Sequence, residues 1–312
     1  MRTAILALAI GVGALAATSG LRAQNRLWPA PSAAARAVFD RFAGIYKLVQ
    51  VDPSAPSPSA RGYLAYDPSG YMSVAIEWPN RPRFAGQPTG EQARTALNGF
   101  TAYFGSFSVN EAAGTVTHQT LGALQPQISG TDLLERFTLA GSRLALRSAG
   151  VTSGPAQTLT WERLPDLSSL TPLHRQLIGF WRLVSTERRN SKGDLVRAYP
   201  GWTGFIVYAA SGHMLVHMTE PYRRRPVGAV PTPEEAMAAY QNYTSYFGTY
   251  TIQASGRSLV HHVEGSVNPG SAGSDTERFF EISGNHLILR PPAIKTPDGD
   301  VVMTNVWERV QE

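Results

Sequence analysis

Apolar and polar positions alternate with period two through most of this chain, which predicts strands. Residues 63–66 and 71–77 read as two extended runs around the turn cluster Asp67-Pro68-Ser69-Gly70, with Met72, Val74 and Ile76 on one face. Residues 205–208 and 213–219 repeat the arrangement around Ala210-Ser211-Gly212, with Met214, Val216 and Met218 sharing a face. Those faces are expected inward, which turns His213 and His217 outward, and Tyr208 and Asp67 are read as turn residues. Further strands are predicted at 46–51, 102–110, 115–121, 134–139, 143–148 and 157–163, with counterparts at 245–253, 259–265, 277–282, 286–290 and 301–309. Helical spacing is confined to short segments. Thr89 with Gln92, and Thr232 with Glu235, form capping boxes, and Pro233 takes the first helical position. Short helices are also expected at 32–43 and 172–178, each placed to plug a barrel end.

The pattern occurs twice. Pro88-Thr89-Gly90-Glu91-Gln92-Ala93 and the following Tyr103-Phe104-Gly105 match Pro231-Thr232-Pro233-Glu234-Glu235-Ala236 and Tyr246-Phe247-Gly248 without a gap. His118 falls opposite His261, and Trp161-Glu162-Arg163 opposite Trp307-Glu308-Arg309. A repeat this long is a self-sufficient domain rather than a solenoid unit. Two domains are expected, 36–164 and 173–310, held close by a short proline-bounded connector from Pro165 to Pro172. Each has about eight strands, the number at which an antiparallel meander closes into a small barrel.

Composition narrows the chemistry. Cys is 0, which removes thiolate nucleophiles, cysteine metal sites and disulfides. The formal charge is +5, weighted to arginine, with no basic run denser than Arg223-Arg224-Arg225; a nucleic-acid partner is not expected. No His/carboxylate spacing matches a ligand motif, so neither metal nor other cofactor is expected. Residues 1–23 read as a secretory signal peptide: Arg2, an uncharged apolar stretch through Leu6, Leu8, Ile10, Val12 and Leu15, then Leu21-Arg22-Ala23 before Gln24. A periplasmic or secreted location follows, with no stable membrane anchor after cleavage.

Gly179-Phe180-Trp181, after a short helix and at the start of a long strand, resembles the lipocalin G-x-W signature. Gly44-Ile45-Tyr46 is the same motif with Tyr in place of Trp. Together with the closing Trp-Glu-Arg segments, these features resemble the bacterial lipocalin-like domain family, and the resemblance spans both copies. It implies an all-β fold: two tandem lipocalin-like antiparallel β-barrels, each with a short N-terminal helix and one capped mid-barrel helix. The absence of disulfide cysteines and the capped helix depart from secreted lipocalins. An aromatic on the first strand can seal the barrel base while an arginine of the last strand stacks across it, so Trp181–Arg309 and Tyr46–Arg163 are expected pairs.

The candidate site residues are His118, His261, Tyr103, Tyr246, Met72, Met214, Glu277, Arg278 and Arg290. Leu259 and Val263 place His261 on the apolar side of its strand and His262 on the other. Glu135-Arg136-Phe137 aligns with Glu277-Arg278-Phe279 only after a one-residue shift; the gapless register pairs Phe137 with Phe280, and which of Glu277 and Arg278 faces inward stays open, an inward Arg suiting a carboxylate or phenolate ligand and the alternative being an edge-exposed ion pair. Arg81, Arg83 and Arg223 to Arg225 read as solvated loops, with a guard at a barrel mouth that favours anionic ligands as the alternative. Three functions stay open. The leading one is binding of a small hydrophobic or amphipathic molecule in a barrel cavity. The alternative is an isomerase, cyclase or hydrolase acting on an apolar substrate, with His261, Glu277 and Arg290 as its acid–base and oxyanion groups. The third is an assembly module with filled barrels.

Overall fold

Ser32 accepts a hydrogen bond from the Ala35 amide at 3.2 Å and starts helix α1 (Ala33–Phe42), whose Phe39 and Phe42 turn into the protein. This computed structural model describes residues 32–52, 60–84, 86–148, 157–297 and 299–310; the stretch read as a signal peptide lies outside them. After α1 come β1 (Gly44–Asp52), β2 (Arg61–Tyr66), β3 (Tyr71–Glu77), α2 (Gly90–Asn98), β4 (Phe100–Asn110), β5 (Thr115–Ala123), β6 (Asp132–Ala140), β7 (Arg143–Ser148) and β8 (Thr158–Arg163). Each strand pairs antiparallel with the next, and β1 closes the ring on β8 with Tyr46 opposite Arg163.

The second half repeats this. Helix α3 (Pro172–Leu177) leads into β9 (Gly179–Asn190), β10 (Leu195–Ala198), β11 (Thr203–Tyr208), β12 (His213–Thr219), α4 (Pro233–Gln241), β13 (Tyr243–Ile252), β14 (Ser258–Ser266), β15 (Asp275–Ser283), β16 (His286–Arg290), β17 (Ile294–Thr296) and β18 (Gly299–Arg309). β9 closes on β18 with Trp181 opposite Arg309, while β10 and β17 flank the closed ring as extra edge strands. The chain is thus two closed antiparallel β-barrels with short helices, as the alternation predicts. Both capping boxes form, at Thr89/Gln92 and Thr232/Glu235.

Two devices shape each barrel. At the base, the Arg309 guanidinium carbon lies 4.0 Å from the Trp181 ring centroid, and that of Arg163 lies 5.2 Å from the Tyr46 ring. Trp181 Nε1 donates to Leu177 O at 2.8 Å, and Tyr46 Oη donates to Phe42 O at the same distance. Tyrosine therefore keeps the bond that tryptophan makes to the preceding helix, which is why the motif tolerates the exchange. On the wall, β13 carries a bulge between Phe247 and Gly248, and a Cβ on Gly248 would meet His262 O at 1.9 Å. Gly105 holds the same place in the first barrel, where a Cβ would meet Gln119 O at 2.0 Å.

The barrels pack wall to wall. In β2, β3, β11 and β12 nearly every residue is buried, on both faces. The outward residues of one barrel meet those of the other: Tyr71 and Phe104 lie 5.4 and 5.3 Å from Phe205, and Tyr63 lies 5.4 Å from Phe247. His217 does point away from its own barrel, as expected, but it is buried in this seam 5.7 Å from Phe104. The reading of Arg81 and Arg223 as solvated is corrected here. Arg81 Nη1 and Nη2 donate across the seam to Ser266 O and Val267 O, each at 2.6 Å. Arg223 does the reciprocal, donating to Leu124 O at 3.1 Å and to Ala123 O. Single-chain alternation could not show this, because the outer face of each sheet is a second core.

Candidate ligand site inside the barrels

The inward face of each barrel carries a Tyr–His–Tyr chain. His118 and His261 sit on β5 and β14, fully buried. Tyr66 Oη lies 2.6 Å from His118 Nε2 and Tyr103 Oη 3.1 Å from Nδ1. In the second barrel Tyr208 Oη lies 2.8 Å from His261 Nε2 and Tyr246 Oη 2.9 Å from Nδ1. Tyr208, read from the sequence as a turn residue, is thus part of the interior; it ends β11 on the same face as Ile206. Its match with Tyr66 in the repeat was the available signal.

Burial fixes the charge state of these groups. Desolvation lowers His118 to about 3 and takes His261 well below its ordinary value, with Arg278 adding to the effect there. Both imidazoles are neutral near pH 7, so each donates through one nitrogen and accepts through the other. Burial also raises Tyr66, Tyr103 and Tyr208 well above the ordinary phenol, which keeps their hydroxyls protonated. His262 faces the other way, half-buried, 2.8 Å from Asp275 and 2.9 Å from Thr251 Oγ1.

The gapless register decides the question left open on β15. Val116 pairs with Glu135 and Leu259 with Arg278, so Glu135 and Arg278 are equivalent and both face inward. Glu277 points outside and accepts from Ser258 Oγ at 2.7 Å. Glu135 Oε2 sits 3.3 Å from His118 Nδ1 without a hydrogen-bond partner, and desolvation raises its carboxyl to about 7. Arg278 Nη1 donates to Glu277 O at 2.8 Å and Nη2 makes a long contact of 3.5 Å to Tyr246 Oη.

The cavities differ in size. The first barrel encloses about 170 Å³ beside Tyr103, His118, Glu135 and Trp161. The second encloses about 560 Å³, walled by Ile206, Val216, Met218, Tyr246, Arg278 and Trp307. The longer strands β9 and β18 extend the second wall upward, and β10 and its following turn add Arg197, Tyr199 and Trp202 to the lining. Trp161 Nε1 and Trp307 Nε1 are buried with no hydrogen-bond partner. Of the other expected site residues, Met72 and Met214 lie in the packed cores. Arg290 pairs with Glu281 at 2.6 Å on the outer face. His261 lies behind Tyr246, so it holds the lining tyrosine rather than lining the large cavity itself. The set His261, Glu277 and Arg290 does not converge on one point. Sequence reading missed both tryptophans and the β9–β10 arginines as cavity groups. Among the described residues there is no cluster of three or more metal-ligating side chains, and no helix is long and apolar enough to cross a membrane.

The sequence profile of the lipocalin-like domain matches residues 43–164 and again 178–310. No protein of curated function matches the chain. Similar solved structures include a redesigned β-barrel, 12% identical over 46% of this chain and 100% of its own, with a TM-score of 0.25. Bovine odorant binding protein in complex with a selenium-containing odorant is 14% identical over 47% of this chain and 78% of its own, TM-score 0.25. A protein of unknown function from Nostoc punctiforme is 11% identical over 88% of this chain and 99% of its own, TM-score 0.21.

Proposed function

The chain belongs to the lipocalin-like domain family, and from that premise we propose that it binds a small hydrophobic or amphipathic molecule inside its second barrel. The carrying observation is the cavity of about 560 Å³, whose lining joins Ile206, Val216, Met218 and Trp307 to the polar groups of Tyr246 and Arg278. The volume falls within the roughly 300–1,000 Å³ of small-molecule sites, whereas the cavity of about 170 Å³ in the first barrel falls below it. The first barrel then serves mainly as the packed support on which the second is braced. Residues 1–23, as a signal peptide, would deliver the protein to the periplasm or the exterior, where it meets its ligand without a membrane anchor or nucleic-acid partner.

The neutral apolar dye N-phenyl-1-naphthylamine tests this. It should bind saturably at one site, with fluorescence gain and quenching of tryptophan emission. Thr244→Trp, an exposed rim position of the cavity, should block the dye without disturbing the core. Non-saturable binding, or binding unchanged by Thr244→Trp, removes the reading.

A further inference from the structure

The two barrels place different groups at one register position, the Glu135 carboxyl in the first and the Arg278 guanidinium in the second. Around Arg278 the lining gathers two more cations, Arg188 and Arg197, and includes no carboxylate among the described lining residues. Arg188 Nε is buried with no hydrogen-bond partner. Arg188 and Arg197 flank Tyr199, at 5.7 and 4.7 Å from its ring, which holds both guanidinium groups beside the cavity. Glu187, beside Arg188 on β9, is engaged by Arg189 at 2.7 Å. Arg278 has only one short hydrogen bond, to a carbonyl of its own strand. The same lining includes the apolar side chains Ile206, Val216, Met218 and Leu289.

We propose that the second barrel is a site for an amphiphile with a carboxylate head, which Arg278 and Arg188 bind while the tail lies along the apolar wall. This deepens the cavity-binding reading and rests on it. The unfilled donors of two guanidinium groups match the two oxygens of a carboxylate, and a partly desolvated pair is stronger than one in water. The first barrel carries the Glu135 carboxyl at the equivalent place and has no cation among the described residues lining its cavity. Asn305, held by Thr186 at 2.6 Å, adds a further polar residue to the lining.

The probes are cis-parinaric acid and its uncharged methyl ester, followed by their fluorescence gain on the full chain. The acid should bind at least about tenfold more tightly than the ester. Arg278→Gln and Arg188→Gln should each weaken the acid about tenfold and leave the ester unchanged. Arg278→Lys, which keeps the charge but loses the fork, should fall between. Arg290→Gln removes the same charge from the outer face of the same barrel and should move neither probe. Equal binding of acid and ester, or equal losses from Arg290→Gln and Arg278→Gln, overturns the proposal. If N-phenyl-1-naphthylamine binds and the acid does not, the head-group assignment fails while the cavity reading stands. If no probe binds, both fail.

Discussion

Glu135 Oε2 lies 3.3 Å from His118 Nδ1, yet the two do not form an ion pair near neutral pH. Burial holds the imidazole neutral down to about 3 and the carboxyl protonated up to about 7. The geometry of a salt bridge here belongs to two groups that resist charging, because the barrel interior desolvates both.

That arrangement gives opposite pH slopes. The raised carboxyl stabilises the fold below its unfolded value of 4.5, and this contribution is lost as pH rises through about 7. The depressed imidazole acts the other way: its contribution is present above 6.5 and lost as pH falls towards 3. Glu135→Gln removes only the first. In urea unfolding, the variant should match the wild type near pH 4.5 and exceed it by about 1–3 kcal/mol at pH 8. A variant less stable than wild type at pH 8 would show that Glu135 is charged and paired in the native barrel.

His261→Phe strands Tyr208 Oη inside the second barrel and should cost about 1–3 kcal/mol. His262→Phe, half-buried on the outer face and bonded there to Thr251 and Asp275, should cost less, about 1 kcal/mol or below. Because Tyr246 loses its anchor, His261→Phe should also weaken dye binding more than His262→Phe. Equal stability losses from the two would mean that the β14 register is wrong.

Arg309→Ala removes the stacked cation from Trp181 and the hydrogen bonds to Ile178 O and Gln176 O. A loss of about 2 kcal/mol is expected, read as a lower melting temperature, with dye affinity unchanged. An affinity loss at intact stability would place this end of the barrel in the site.

The seam between barrels should make unfolding cooperative. Arg81→Ala combined with Arg223→Ala removes the two reciprocal clamps onto carbonyls of the other barrel. Calorimetry should change from one transition to two as the barrels uncouple. A single transition at the wild-type temperature would assign the coupling to the aromatic contacts alone.

The sequence by itself determined the strand alternation, the duplication, both capping boxes, the aromatic–arginine pairs at the barrel bases and the inward turn of His261. Each of these is local, or a pairing fixed by repetition: period two selects the face, and a gapless match carries it from one copy to the other. Only the tertiary structure decided which outward faces become a second core. His217, Arg81 and Arg223 look like surface residues along the chain because a sheet's outer face is polar or apolar according to what covers it. Only closure of the second barrel showed that Arg188, Arg278 and Trp307, far apart in sequence, share one cavity. The shape of that space depends on how far β9 and β18 extend beyond the ring and on β10 folding beside them, which no single strand's pattern encodes.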